Sequence, residues 1–356
     1  MDRINRLKKL AFAQNSFDGY LIFNGPNQLY FLGFPGTTAL LISAEKEATA
    51  YVYGVNYEQA KAESKDVDVQ LVRADENLTA KLAVQAKTLG IKSLAVDGLS
   101  VNVWQSLVKE LEPQVTLEVT NRPVQALRAV KESGEIALMR KAGELTSIAM
   151  EAASEAVKPG VREFEVAAEL EYAMRRRGGG PTAFESIVAS GTFSAFPHGG
   201  CCDRIIREGD LVVVDIGATF NYYCSDMTRT FVAGNHSERQ QRIYDVVLDA
   251  QSAAVKRVKA GMPIAEVDAA ARKVIASAGY DDYFVHRLGH GVGLEVHEFP
   301  NLTSQSKDAL EAGNVVSVEP GIYLPGFGGV RIEDTVLVTE QGAEKFTAGP
   351  YKLTRE

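Results

Sequence analysis

Only three cysteines occur in 356 residues, Cys201, Cys202 and Cys224. An odd number cannot all pair within one chain, and their spacing fits no metal finger, so a reducing cytoplasm is the expected home. No apolar run approaches the roughly 20 residues that a membrane-spanning helix needs, which removes the membrane as a partner. The basic start Met1-Asp2-Arg3-Ile4-Asn5-Arg6-Leu7-Lys8-Lys9-Leu10 places Ile4, Leu7, Leu10 and Ala11 at helical spacing. Lacking the apolar core and cleavage site of a secretion signal, it reads as an ordinary first helix. Excess positive charge is missing as well. A formal net charge of -8 disfavours nucleic acid, whose affinity for proteins comes largely from phosphate neutralisation, and leaves small or peptidic substrates. Histidine is scarce: there are five, and three of them fall together at His286, His290 and His297.

Hydrophobic residues at 46% and charged residues at 24% are ordinary for a globular protein, so the whole chain is expected to fold. At this length one core stops growing and two domains follow. The N-terminal part alternates strand and helix patterns. Strands are predicted at Gly19 to Phe23, Ala39 to Ile42, Ala48 to Val52, Leu94 to Asp97 and Val115 to Val119, with a helix over Leu78 to Leu89. At Asn121-Arg122-Pro123 and Leu127 to Lys131 the pattern changes to a long helix, which puts the boundary near residue 128.

Beyond it the chain repeats a theme. A long helix from about Gly134 ends at Val157-Lys158-Pro159-Gly160 and a second resumes at Glu163; another from about Glu238 ends at Val258-Lys259-Ala260-Gly261 and resumes at Ile264. Each pair precedes a strand pair, Leu211 to Phe220 with Asp226 to Val232, and Val315 to Tyr323 with Gly329 to Val338. Carboxylates recur on both, Asp215 and Asp226 against Glu319 and Glu333. That recurrence favours duplication over a shared local pattern.

In Val212-Val213-Val214-Asp215-Ile216 a charge interrupts an apolar strand of the kind buried on both faces. Pairing can bring Asp226 opposite Asp215, and facing carboxylates repel unless a cation lies between them. The alternative is that one of them caps a turn or pairs with Arg229. Glu319 and Glu333 are the downstream candidates, and between the hairpins lies His290, flanked by glycines that permit close approach of the backbone to a metal or substrate. His236, in the polar turn Gly234-Asn235-His236-Ser237, reads as structural. Four carboxylates balance two divalent ions. One imidazole among them makes a hard ligand set, favouring manganese, cobalt or iron(II), with zinc open.

The motifs Val214-Asp215-Ile216-Gly217, Ser225-Asp226-Met227-Thr228-Arg229, Gly289-His290-Gly291-Val292-Gly293, Glu319-Pro320-Gly321 and Val330-Arg331-Ile332-Glu333-Asp334-Thr335 resemble those of the pita-bread metallopeptidases, prolidases above all. The likeness extends over the whole chain. It implies an α/β (α+β) protein with a small N-terminal α/β domain over 1–128 and a duplicated catalytic domain over 129–356. It also implies a homodimer in which the N-terminal domain of one subunit borders the other's active site. The implied ligands of two divalent ions are Asp215, Asp226, His290, Glu319 and Glu333. The implied reaction is hydrolysis of the Xaa-Pro bond in proline-containing dipeptides or short peptides, with hydroxide bridging the two ions as nucleophile. His198 and His297 match the family's substrate-side histidines and would donate hydrogen bonds to the scissile carbonyl; the bland reading of His198 is a loop histidine bonded to backbone. Arg331 would orient a ligand, or else form a plain surface salt bridge. Glu319, beside the nucleophile, would carry its proton to the leaving nitrogen of proline.

One departure stands out. Some prolidases carry an arginine directly after His-Glu-x-Pro, whereas here Glu298-Phe299-Pro300 is followed by Asn301. The substrate carboxylate is left to His198, Arg287 or a residue of the other subunit. Aminopeptidase P is the competing enzyme. Methionine aminopeptidase leaves the extra N-terminal domain unexplained, and a non-catalytic pita-bread binding module does not need an intact ligand set. A thiol nucleophile at Cys201-Cys202 lacks a base-orienting constellation.

Overall fold

A computed structural model describes residues 3–12, 17–64 and 67–354. The chain divides into two compact units, Met1–Arg128 and Ala129–Glu356. Among the described residues, no helix is long and apolar enough to cross a membrane.

The first unit carries a six-stranded mixed sheet in the order Val67–Val72, Ala48–Tyr53, Ala39–Ser43, Gly19–Ile22, Ser93–Asp97 and Thr116–Val119. Gly19–Ile22 is antiparallel to Ala39–Ser43 and parallel to Ser93–Asp97. Five of these strands stand where the apolar runs predict them. Val67–Val72 was not anticipated, because its alternation is diluted by Asp68 and Gln70. The helix Gly25–Leu32 escapes a periodicity search as well. It is set by chemistry at its start, where Asn24 accepts a hydrogen bond from Asn27 N and Pro26 fills the first turn.

In the second unit the long helices Ser133–Ala156 and Glu238–Val255 each pack on a shorter one, Glu163–Arg176 and Ile264–Ser277. The change near residue 128 is a short helix, Arg122–Ala129, separated from the long one by Val130-Lys131-Glu132. Ser237 and Gln240 form a capping box that starts one long helix, an arrangement worth about 1 kcal/mol. The duplication is visible bond for bond. Gly160 N donates to Ile206 O at 2.9 Å, and Gly261 N to Leu310 O at 2.8 Å. Glu163 N donates to Arg204 O at 3.1 Å, and Ile264 N to Asp308 O at 3.0 Å. Each half buries its own apolar cluster, one around Val166, Leu170 and Val214, the other around Val267, Ala271 and Val316.

Of the four long strands expected from the sequence, Asp226 to Val232 stands unbroken as Met227–Val232 and the other three are each broken in two. Leu211–Ile216 pairs with Met227–Val232, and the same register resumes as Thr219–Phe220 against Tyr223–Cys224. In the second half Val315–Val318 pairs with Asp334–Val338, and the register resumes as Gly321–Leu324 against Gly328–Arg331. Asp226, Glu319 and Glu333 occupy these interruptions, where side chains are released from the ladder to converge on one point.

Candidate active site

The five candidate ligands line one cavity of ≈ 350 Å³, together with His198, His297, Arg287 and Arg331. Every site residue singled out in the sequence therefore meets the others. The cavity also takes in Phe184, Glu185 and His286, to which the sequence had given no role.

Register corrects one expectation. Asp215 lies opposite Thr228, with Ile216 opposite Met227, so Asp226 is the diagonal neighbour of Asp215 on the same face rather than its partner. The glycines beside His290 have a different purpose from the one expected. A Cβ on Gly289 would meet Ser317 O at 2.1 Å, and one on Gly291 would meet Phe299 O at 2.4 Å. They let Gly289–Gly291 thread between Glu298–Leu302 and Val315–Val318, and so fix His290 by its backbone.

Threonines stitch the two hairpins together. Thr228 Oγ1 donates to Glu333 Oε2 at 2.6 Å and Glu333 N donates to Thr228 O at 3.1 Å; in the other half Asp226 N donates to Thr335 Oγ1 at 3.0 Å. Sequence reasoning missed both threonines. Their signal was available, since Asp226-x-Thr228 and Glu333-x-Thr335 share one spacing at corresponding places in the two halves.

Arg331 is buried and holds Asp215 rather than its strand neighbour Glu333: Nη2 donates to Asp215 Oδ2 at 2.6 Å, Nε to Thr228 Oγ1 at 3.0 Å and Nη1 to Tyr323 Oη at 2.8 Å. It is no surface salt bridge. Arg229 does not pair with Asp215 or Asp226; it is fully buried and donates to Asp334 Oδ1 at 2.9 Å and to Glu333 O at 2.6 Å. His286 Nδ1 contacts Arg287 O at 2.7 Å and Nε2 contacts Tyr323 Oη at 3.0 Å. A carbonyl only accepts, so Nδ1 carries the proton and Tyr323 donates to Nε2. Burial lowers His286 below the usual histidine range and keeps it neutral.

The ligand cluster demands positive charge. His290 Nδ1 lies 3.1 Å from Gly291 O, which makes Nδ1 the donor. Its Nε2 then faces Glu319 Oε1 at 3.2 Å and Asp226 Oδ2 at 3.6 Å. Three electron-rich atoms converge, and a proton or a cation must lie among them. Three further buried oxygens, Asp215 Oδ1, Asp226 Oδ1 and Glu333 Oε1, have no hydrogen-bond partner among the described residues. Burial pushes Asp226 and Glu333 well above the carboxylate range, and the neighbouring carboxylates push them further. Asp226, His290 and Glu333 bring ligand atoms within 4.8 Å of one another, as a divalent metal site requires. The donor set fits such an ion.

The model of metallopeptidase family M24 matches residues 137–340, and that of the creatinase/prolidase N-terminal domain matches residues 3–130. The chain belongs to metallopeptidase family M24. It is 43% identical to the Xaa-Pro dipeptidase of Pyrococcus furiosus over 98% of this chain and 99% of that one. Among solved structures, an Xaa-Pro dipeptidase from Bacillus anthracis is similar at a TM-score of 0.93 and 38% identity, covering 99% of this chain and 98% of that one. An X-Pro aminopeptidase from Thermotoga maritima is similar at 0.87 and 35%, covering 99% of both chains. Membership implies divalent metal ions, and Asp226, His290 and Glu333 form a group that could hold one.

Proposed function

We propose that this metallopeptidase hydrolyses the Xaa-Pro bond of dipeptides. The observation that carries the reading is the single cavity in which the five candidate ligands, three further imidazoles and one exposed arginine meet, in a chain 43% identical to an Xaa-Pro dipeptidase. Asp215, Asp226, His290, Glu319 and Glu333 would hold two divalent cations, manganese or cobalt, since oxygen donors outnumber the one nitrogen. Bound there, such ions supply hydroxide near neutral pH and polarise the scissile carbonyl.

The remaining steps belong to the chain's own groups. Glu319 takes up a proton at its carboxylate and passes it to the proline nitrogen, which leaves only when protonated. Burial would raise its affinity for that proton, yet the contact with His290 and the charges of His290 and Arg331 hold it down to about 2. His198 and His297 donate N–H to the carbonyl oxygen as charge develops on it. His297 is lowered to about 4 by burial and by the nearby His290, so it is neutral at pH 7 and keeps one N–H to give. Arg287 receives the substrate carboxylate.

The second reading, cleavage of longer Xaa-Pro peptides, is favoured by the likeness to the T. maritima aminopeptidase and by Asn301 standing where some prolidases have arginine. A homodimer in which residues 1–128 of one subunit border the other's site would close the cavity beyond proline. The three free thiols fit a reducing cytoplasm. The deciding measurement is kcat/KM for Ala-Pro, Ala-Pro amide and Ala-Pro-Ala on one preparation. A loss of about tenfold or more on blocking or extending the carboxyl end supports the dipeptidase. Equal or better cleavage of Ala-Pro-Ala overturns it in favour of the aminopeptidase.

A further inference from the structure

His198 is exposed at the cavity wall and makes no side-chain hydrogen bond among the described residues, so the backbone of its own loop sets where its imidazole points. That loop leaves the strand Ile187–Ser190, passes through the 3₁₀ turn Gly191–Ala195 and returns at Cys201, which bridges Val188. Ser190 and Cys202 are its two ends. One side chain holds both. Glu163 Oε1 accepts from Ser190 N at 2.8 Å and Ser190 Oγ at 2.6 Å, while Oε2 accepts from Cys202 N at 3.1 Å and Cys202 Sγ at 3.0 Å.

The duplication supplies an internal control for this residue. Glu163 N and Ile264 N make corresponding bonds, to Arg204 O and Asp308 O, so Ile264 is the counterpart of Glu163 in the other half. Ile264 is wholly buried in an apolar cluster. The fold therefore accepts a hydrocarbon at this point. Glu163, 2% exposed, is instead an acid with four neutral donors and no ion-pair partner among the described residues. A carboxylate buried in this way is costly unless its hydrogen bonds are complete. Its four bonds all go to the base of the loop that presents His198.

We infer that Glu163 is a positioning residue for His198: it clamps the two ends of the loop and so sets the distance from the imidazole to the substrate carbonyl. The inference rests on the role proposed above for His198. Glutamine is the informative replacement, because it keeps the volume but turns a donor toward the Cys202 or Ser190 N–H and breaks the clamp on one side. The experiment is a double-mutant cycle on the metal-loaded enzyme, with Glu163→Gln, His198→Ala and the double variant compared in kcat and KM on Ala-Pro, alongside metal content and Tm.

The expected result is a fall in kcat/KM of about tenfold for Glu163→Gln, mostly in kcat, with metal content unchanged, shrinking to less than about twofold when His198 is already alanine. Equal losses in both backgrounds overturn the inference while leaving the role of His198 in place, as does wild-type activity in Glu163→Gln. Full activity in His198→Ala overturns both. Should Glu163→Gln fail to fold, Cys202→Ala removes one donor and keeps the carboxylate; the same loss of effect in the His198→Ala background supports the clamp, and additivity overturns it.

Discussion

Arg331 Nη2 lies 2.6 Å from Asp215 Oδ2, a charge-assisted bond between two buried groups on opposite halves of the duplicated unit. The same guanidinium reaches Thr228 and Tyr323, so three donors of a rigid fork are engaged at once. Asp215 is thereby turned so that Oδ1 has no hydrogen-bond partner among the described residues.

Lysine cannot reproduce that fork, although it keeps the charge. Arg331→Lys is expected to weaken metal binding by about 10- to 100-fold, as outer supports of ligating groups do. Calorimetric titration of the metal-free protein with manganese checks this. Affinity equal to the parent's would show that Asp215 needs no such support.

Metal dependence and the proton transfer are tested together. Chelation should abolish hydrolysis of Ala-Pro, with manganese or cobalt restoring it. Glu319→Gln should lose about 10²- to 10⁴-fold in kcat with little change in KM, because the lost step is proton transfer rather than binding. Turnover by a verified metal-free preparation would sink the mechanism, and an active Glu319→Gln would move the proton elsewhere.

Much of this site was legible in the sequence because a buried strand has no other use for a charge: Asp215 among valines, and acids recurring in both halves, announced themselves. The residues that hold those acids in place did not. Thr228 and Thr335 are ordinary strand residues until register sets Thr228 against Asp215 and brings Thr335 to the Asp226 backbone. Glu163 looked like the start of a helix, and only the fold brings it to Ser190 and Cys202. The break in each hairpin was hidden for a related reason. Val315 to Val318 and Ile322 to Leu324 are both apolar, so a pattern search that passes over the Pro320-Gly321 break reads one strand where the chain makes two.

The raised carboxyls give the metal-free protein an unusual pH response. Asp226 and Glu333 hold protons above the ordinary carboxylate range, chiefly through burial and then through neighbouring carboxylates. The native state therefore binds more protons than the unfolded chain, and stability falls as pH rises from about 4, the unfolded value, through the raised native values. A chelated sample should show a Tm that drops across this window, and added manganese should raise Tm more at pH 7 than at pH 5, because ligands must be deprotonated to bind. A metal-induced shift independent of pH would mean that these acids are already ionised.

Arg287 lines the cavity, and its proposed part in reading the substrate's far end has a direct test. Its Nη1 donates to Asn301 Oδ1, which ties an exposed guanidinium to the cavity rim and leaves its other N–H groups available to a carboxylate. Asparagine at 301 is neutral and accepts from the arginine without cancelling its charge, whereas an acid there would. A hydrogen bond to a charged group contributes about 1.5–3 kcal/mol. Arg287→Ala should accordingly raise KM for Ala-Pro by about 10- to 150-fold, with kcat far less affected. Ala-Pro amide has no charge to offer and should change by less than about threefold, which separates lost recognition from general damage to the site. Arg287→Lys should recover part of the affinity for Ala-Pro, since charge is kept and fork geometry is lost. Equal losses on Ala-Pro and its amide would remove Arg287 from carboxylate binding and pass that role to His198 or to the partner subunit.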